Sequence, residues 1–369
     1  MAKREDCIQH DGVRYCFAVW GCEAAGAAEA APVVLLHGFA QSTASWDGVA
    51  EPLSCTRPVV ALDLVGHGGS DRPEGAAAYA LEAQGEMLLA FLASALGEAG
   101  PAAPGGPDGR FAALMQGRRK PVVVGYSMGG RVALAAVSRQ PGAFARCAGG
   151  LVLESAGLGP VDERERKDAA ERDARNAAAL RRDGLSAFMD AWERLPLFAT
   201  QRDLPASTCE RVRAGRLAND AEALARAFEQ AGQHAMPSRG DVLAALASLR
   251  DCGVPVRYIA GARDAKYRAL AEDLEDEGLC EVRVVAGAGH NVHLEEPAAY
   301  LRALGVGFPG EHCAAAGPPA YRAKRRRCER RWAGAAGLCA RRLFARPGRR
   351  SAPPRRGAST ASAGSRRAP

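Results

Sequence analysis

Short apolar runs punctuate this chain at 33–36, 59–62, 122–124, 151–153, 256–259 and 282–285, separated by longer stretches with helical spacing. The runs are continuous rather than alternating, interrupted only by Arg257 and Arg283. Strands covered on both faces have that character, whereas half-solvated strands alternate polar and apolar residues. The pattern therefore predicts an α/β fold, a mostly parallel sheet flanked by helices. Residues 7–20, broken by Asp11-Gly12, predict an N-terminal hairpin feeding the sheet edge. Residues 157–250 hold no strand pattern and alternate Ala, Leu and Arg at helical spacing, which predicts a helical insertion between two sheet strands.

Two segments fall outside this pattern. Residues 97–120 include Pro101-Ala102-Ala103-Pro104-Gly105-Gly106-Pro107-Asp108-Gly109 and are expected to be a tolerated surface insertion. From about residue 309 to 369 the chain is rich in Ala, Gly, Pro and Arg, too poor in apolar surface to offset its ordering entropy, so disorder is expected. The first 308 residues are then one domain.

Charge changes the picture once it is divided. From Gly310 onward, 16 Lys/Arg stand against 2 Asp/Glu, a balance of +14 that leaves residues 1–309 at −7 within a total of +7. The basicity belongs to the tail and does not describe the ligand of the folded part. The tail contains no nucleic-acid-binding motif, so neither nucleic-acid nor membrane attachment is expected of it. Met1 to Asp6 carry charges of both signs with no apolar run behind them, and no stretch reaches the length of a membrane span. The 11 cysteines form no C-x-x-C pair, which argues against a zinc or redox motif. Reduced thiols and a cytoplasmic location are expected.

Candidate chemistry sits at the ends of the predicted strands. Gly125-Tyr126-Ser127-Met128-Gly129 follows an apolar run and precedes a helical stretch, the context in which G-x-S-x-G forms a sharp strand-to-helix turn. Ser127 is thus the candidate nucleophile, at a helix N-terminus whose dipole favours developing negative charge. An acid and then a histidine should follow in the chain. Asp264 lies just after the run at 256–259 and His290 just after the next, at separations of 137 and then 26 residues. His293 and His234 are rivals for the base, better read as solvated or helix-surface histidines. His37-Gly38-Phe39 follows the run at 33–36, and the backbone N–H groups of Phe39 and Met128 are the candidate oxyanion donors.

Leu36-His37-Gly38-Phe39 and Leu62-Asp63-Leu64-Val65-Gly66-His67-Gly68-Gly69-Ser70 resemble the α/β-hydrolase superfamily. Gly125 to Arg131, Gly261 to Tyr267 and Gly287 to Val292 narrow the resemblance to the 2-succinyl-6-hydroxy-2,4-cyclohexadiene-1-carboxylate synthase family, over about residues 30–305. The resemblance implies an α/β-hydrolase fold with a helical lid. It also implies a cofactor-free, metal-free lyase of menaquinone biosynthesis that eliminates pyruvate from a small anionic polycarboxylate. Arg131, Trp192, Arg216, Tyr126 and Lys266 match family positions near the substrate. Trp192 serves lid packing or substrate contact equally well. The family's early-lid arginine falls among Arg164, Arg166, Arg172 and Arg175, with Arg166 taken as the match. A serine esterase or thioesterase acting on a small anionic ester is the alternative, because the same three residues serve acyl transfer. A binding protein on a degenerate hydrolase fold is disfavoured by the complete Ser, Asp and His set. Oligomeric state is left open.

Overall fold

In the computed structural model, described for residues 3–21, 30–95 and 118–305, eight strands form one sheet in the order β1-β2-β4-β3-β5-β6-β7-β8. The strands are β1 (Arg4–His10), β2 (Val13–Trp20), β3 (Val33–Leu36), β4 (Val59–Leu62), β5 (Val122–Tyr126), β6 (Gly150–Glu154), β7 (Val256–Gly261) and β8 (Glu281–Val285). β1 and β2 form the antiparallel hairpin, β2 runs antiparallel to β4, and β3 to β8 are parallel. Of the insertion expected at 97–120 all but residues 118–120 lies outside the described residues, as does the whole tail expected at 309–369; the described residues belong to the unit Met1–Ala314.

The unbroken apolar runs are explained by the two faces. Val34, Leu36, Val60 and Leu62 enter the core on one face of the sheet, while Val33, Leu35, Val59 and Ala61 enter the core on the other. Because side chains alternate across the sheet, only a strand buried twice needs apolar residues at every position. β8 departs from this expectation. It is the edge strand, Arg283 and Val284 face outward, and Val284 is 45% exposed.

Helices cover both faces. α1 (Asp47–Leu53) packs on one side, and α2 (Leu81–Ala95) and α3 (Met128–Arg139) on the other. α2 meets α3 at Gly85, where a Cβ would lie 2.9 Å from the Ala136 backbone nitrogen. α4 (Pro141–Cys147) leads into β6. Between β6 and β7 come α5 (Glu163–Trp192), α6 (Ala206–Leu217), α7 (Ala221–Ala231) and α8 (Arg239–Asp251). α5 is 30 residues long and is broken at Gly184, whose φ of 78° is open to glycine at little cost. α9 (Ala265–Asp276), α10 (Val292–Glu295) and α11 (Pro297–Leu304) complete the described chain.

The expectation of reduced thiols is corrected at one place. Cys7 and Cys16 form a disulfide, because the hairpin register sets them directly opposite with Cα atoms 4.0 Å apart. The intervening turn hides that juxtaposition from any search for C-x-x-C. Among the described residues, Cys55, Cys209, Cys252 and Cys280 are free thiols.

Small residues decide how closely α3 approaches the sheet. A Cβ at Gly129 would stand 2.3 Å from the Leu36 carbonyl oxygen, and one at Gly130 2.4 Å from Ala156 Cβ. Gly129→Ala must therefore push α3 away from β3. We expect a loss of about 1–3 kcal/mol in folding stability, read as a lower urea midpoint with an unchanged slope; an unaltered midpoint would mean that the helix and strand separate freely.

Candidate active site

β5 runs into α3 through a single residue in a costly conformation. Ser127 has φ 49° and ψ −103°, a positive φ that a serine adopts only when its surroundings impose it. Its N–H donates to the carbonyl of Glu154 at 2.9 Å, and its own carbonyl accepts from the Arg131 N–H at 3.2 Å. Gly125 allows the turn, since a Cβ there would meet Gly130 Cα at 2.6 Å. The hydroxyl is thereby presented at the carboxyl end of the sheet and the start of α3.

Asp264 caps α9. Its Oδ1 accepts from the Tyr267 N–H at 3.2 Å, which leaves Oδ2 for His290 Nδ1 at 2.9 Å. His290 Nε2 lies 3.2 Å from Ser127 Oγ. Asp264 and His290 are both buried, so solvent does not compete for the bond between them. The structure therefore joins Ser127, His290 and Asp264 in one hydrogen-bonded chain. With Nδ1–H donated to Asp264, the His290 lone pair points at the hydroxyl, the arrangement required of a general base. A cleft of about 340 Å³ opens beside the pair, lined among others by Pro196, Leu197, Thr200, Arg263, Asp264 and His290.

The turn after β3 faces the same place. Gly38 fits against Tyr126, where a Cβ would meet the ring at 2.5 Å, and its N–H donates to Gln41 Oε1 at 3.0 Å. His37 Nε2 accepts the Leu64 N–H at 3.0 Å and Nδ1 bonds to the Gly38 carbonyl at 2.8 Å, tying this turn to the loop after β4. Phe39 follows, and Met128 opens α3, where the first N–H groups have no partner within the helix.

The rivals for the base are elsewhere, and neither is a solvated or helix-surface histidine. His293 is buried and bound to Glu154, at 2.8 Å from Nδ1 to the carboxylate. His234 is half-buried in a 3-10 turn, with Nδ1 2.9 Å from Asp173 and Nε2 3.1 Å from the Glu229 carbonyl.

The predicted substrate residues divide. Tyr126 ends β5, with its ring 5.5 Å from that of His290. Arg131 donates Nε–H to the Ala231 carbonyl at 3.0 Å, and burial holds its pKa below the ordinary value. Lys266 sits at the start of α9, its ammonium 5.2 Å from the Tyr267 ring centroid. Trp192 lies in an aromatic cluster, 5.2 Å from Phe39, 5.7 Å from Phe188 and Phe198, and 5.6 Å from Phe228. Arg216 is buried, donating to Glu193 at 3.0 Å and Gln201 at 2.9 Å across the Phe198 ring. Arg166 turns away: its guanidinium donates to Glu163 and to the carbonyls of His234 and Met236, so it fastens the base of the lid. Arg172 is half exposed and lies 3.5 Å from Asp173, and its charge acts on Arg131, Lys266 and Tyr267. Tyr267 was missed as a site residue. Its ring is 4.8 Å from His290, and burial raises its pKa.

The family model described as "Alpha/beta hydrolase family" matches residues 33–303. A protein of Bacillus subtilis strain 168, provisionally named 2-succinyl-6-hydroxy-2,4-cyclohexadiene-1-carboxylate synthase, is 33% identical over 78% of this chain and 92% of its own length. The synthase of that name from Salmonella agona strain SL483 is 33% identical over 74% of this chain and 91% of its own. The chain belongs to the 2-succinyl-6-hydroxy-2,4-cyclohexadiene-1-carboxylate synthase family of α/β hydrolases. Its fold is also that of MenH from S. aureus, at a TM-score of 0.63 and 23% identity over 78% of this chain and 96% of that one. A thermophilic esterase from Thermogutta terrifontis shares the fold at a TM-score of 0.60 and 23% identity, over 82% and 97%.

The loops behind the site are acid-sensitive by construction. Burial lowers the pKa of His37 to about 4 and that of His67 to about 3, the latter also repelled by His37. An unfolded chain takes up these protons near 6.5, so stability is complete above that pH and falls as pH drops toward 4. The buried Asp63, whose pKa is raised, acts with the opposite sign. Comparing urea midpoints across pH 7 to 4 with those of His67→Asn isolates the histidine: the variant should lose stability less steeply, by roughly 1 kcal/mol per pH unit. Parallel curves would remove His67 from the effect.

Proposed function

We propose that this chain is the lyase that eliminates pyruvate from 5-enolpyruvoyl-6-hydroxy-2-succinyl-cyclohex-3-ene-1-carboxylate in menaquinone biosynthesis, with Ser127, His290 and Asp264 as its catalytic groups. Family membership supports the reaction, and the 3.2 Å contact of His290 Nε2 with Ser127 Oγ carries the assignment of residues. Comparing the 3-ene substrate with the 2,4-diene product defines what is lost. A proton leaves ring C2, the double bond moves to C2=C3 with a new one at C4=C5, and the C5–O bond breaks. The departing enolpyruvate takes up a proton and becomes pyruvate, so no redox partner is required.

The proton at C2 lies beside the succinyl ketone, and its removal places negative charge on the ketone oxygen. His290 activates Ser127 Oγ to take that proton, while Asp264 fixes the imidazole tautomer and stabilises the imidazolium. The backbone N–H groups of Phe39 and Met128 receive the ketone oxygen as its charge develops. The substrate's carboxylates need cations; Arg131, Arg172 and Lys266 all act on Tyr267, Arg172 in contact with Asp173, whereas Arg216 is buried on Glu193. Trp192 supports the oxyanion turn through Phe39. A cytoplasmic location belongs to the same proposal, and no helix among the described residues is long and apolar enough to cross a membrane.

A coupled assay for pyruvate release, run beside a panel of short-chain esters, tests the reaction. Pyruvate release with esterase activity near background is expected; the reverse would make the chain a serine hydrolase. Ser127→Ala, Asp264→Asn and His290→Ala should each lower kcat by about 10³-fold or more with unchanged circular dichroism, and any that turns over like wild type lies outside the mechanism. Arg131→Ala and Arg172→Ala should raise KM by roughly 10–100-fold, the worth of a charge-assisted hydrogen bond, and Arg166→Ala should leave it within about twofold, as expected of a residue outside the site. An effect confined to Arg166 would restore that residue as the early-lid contact.

A further inference from the structure

Beneath the Ser127–His290–Asp264 chain lies a second acid–base pair that the reaction does not use directly. Glu154 is the last residue of β6 and His293 the second residue of α10, and both side chains are fully buried, at 0% exposure. The Glu154 carboxylate accepts the His293 main-chain N–H at 3.0 Å and meets its Nδ1 at 2.8 and 2.9 Å. Among the described residues, His293 is the only ion-pair partner of Glu154. The same residue reaches the elbow through its backbone, since the Glu154 carbonyl accepts the Ser127 N–H at 2.9 Å. One strand end thus holds both the serine turn and the histidine loop.

The surroundings leave this pair little freedom. The His293 ring stacks on Trp46 at 3.9 Å and 24°, and meets Tyr126 edge-on at 5.0 Å and Tyr300 at 5.8 Å. Tyr126 in turn touches His290. A carboxylate of Glu295 secures the other side of the loop, accepting the N–H of Gly289 at 2.6 Å and of Asn291 at 3.2 Å, the two neighbours of His290. Taking an acid and an imidazole out of water is expensive, and apolar side chains would fill the space at lower cost. What apolar residues cannot do is fix the distance between two loops through directed hydrogen bonds.

We propose that Glu154 and His293 are positioning residues for the reaction, a buried pair that sets the depth of the histidine loop against the serine turn and so keeps His290 Nε2 within reach of Ser127 Oγ. This deepens the proposed function and rests on it for the turnover measurement alone. Misplacing a reacting group by about 1 Å costs on the order of 100-fold, so small displacements of the loop are measurable.

Glu154→Gln in the full chain is the test, because it keeps one acceptor for the His293 N–H and removes the carboxylate. The melting temperature is measured, and well below it kcat and KM for pyruvate release and the rate at which phenylmethanesulfonyl fluoride modifies Ser127. The last depends on the serine–histidine contact whatever the natural substrate, so it separates failure of this inference from failure of the lyase reading. We expect kcat and the sulfonylation rate to fall together by about tenfold to 100-fold with KM within about twofold. A lower melting temperature with both rates unchanged would overturn the proposal, leaving the pair a packing element. If Glu154→Gln gives no folded protein, His293→Gln undergoes the same measurements, and failure of both variants to fold would likewise assign the pair to folding and overturn the proposal.

Discussion

The steric constraint at Ser127 organises the rest of the molecule. A serine at φ 49° is stable only if neighbouring chain segments come closer than side chains permit. Gly125, Gly129 and Gly130 supply that closeness: α3 presses on the Leu36 carbonyl through Gly129 and on Ala156 through Gly130. Gly38 does the same for the turn after β3 against Tyr126. Each contact positions one part of the site, namely the hydroxyl, the start of α3 and the turn that carries Phe39. The strained turn is therefore held by packing across β3, β5 and β6 together with the hydrogen bonds of Ser127 to Glu154 and Arg131.

Much of this was legible in the residues because parallel strands buried on both faces leave an unmistakable signal. The six apolar runs all became strands, and Ser127, Asp264 and His290 lie where a strand end delivers them. Features that depend on juxtaposition across the chain were not legible. The Cys7–Cys16 bond needs the hairpin register, and the partnership of Glu154 with His293 spans 139 residues. Val284 reads as core until β8 is known to be the sheet edge. The arginines of α5 were the hardest. In a helix carrying Arg164, Arg166, Arg172 and Arg175, sequence spacing alone does not tell which guanidinium turns inward. The lid's contact with residues 234–236 decides it by engaging Arg166.

Charge and aromatic surface are segregated around the hydroxyl. Arg131, Arg172 and Lys266 gather near Tyr267. Trp192, Phe39, Phe188 and Phe228 form a packed aromatic layer under the lid. Arg216 sits at the seam, its charge balanced by Glu193 and its plane over Phe198. A polycarboxylate on a six-membered ring suits such a division, with anionic groups against the cations and the ring against apolar surface. A long-chain ester would gain from the second region and pay desolvation at the first.

The same hydrogen-bonded chain can begin either acyl transfer or proton abstraction, so the choice rests on what the site places opposite Ser127 Oγ. Acyl transfer needs an electrophilic carbon beside the hydroxyl and leaves a covalent ester that water must later clear. Abstraction beside a ketone needs only that the acidic C–H face the oxygen while the carbonyl points at backbone donors, and no covalent intermediate forms. A cluster of cations assists the second course twice: it fixes the carboxylates that orient the ring, and it stabilises negative charge spreading from the ketone toward the departing enolpyruvate. Burial, and after it the charge of Arg172, disfavours the charged forms of Arg131 and Lys266, so a multiply charged anion gains more beside them than an ester with a single carboxylate, which favours elimination on this fold over hydrolysis.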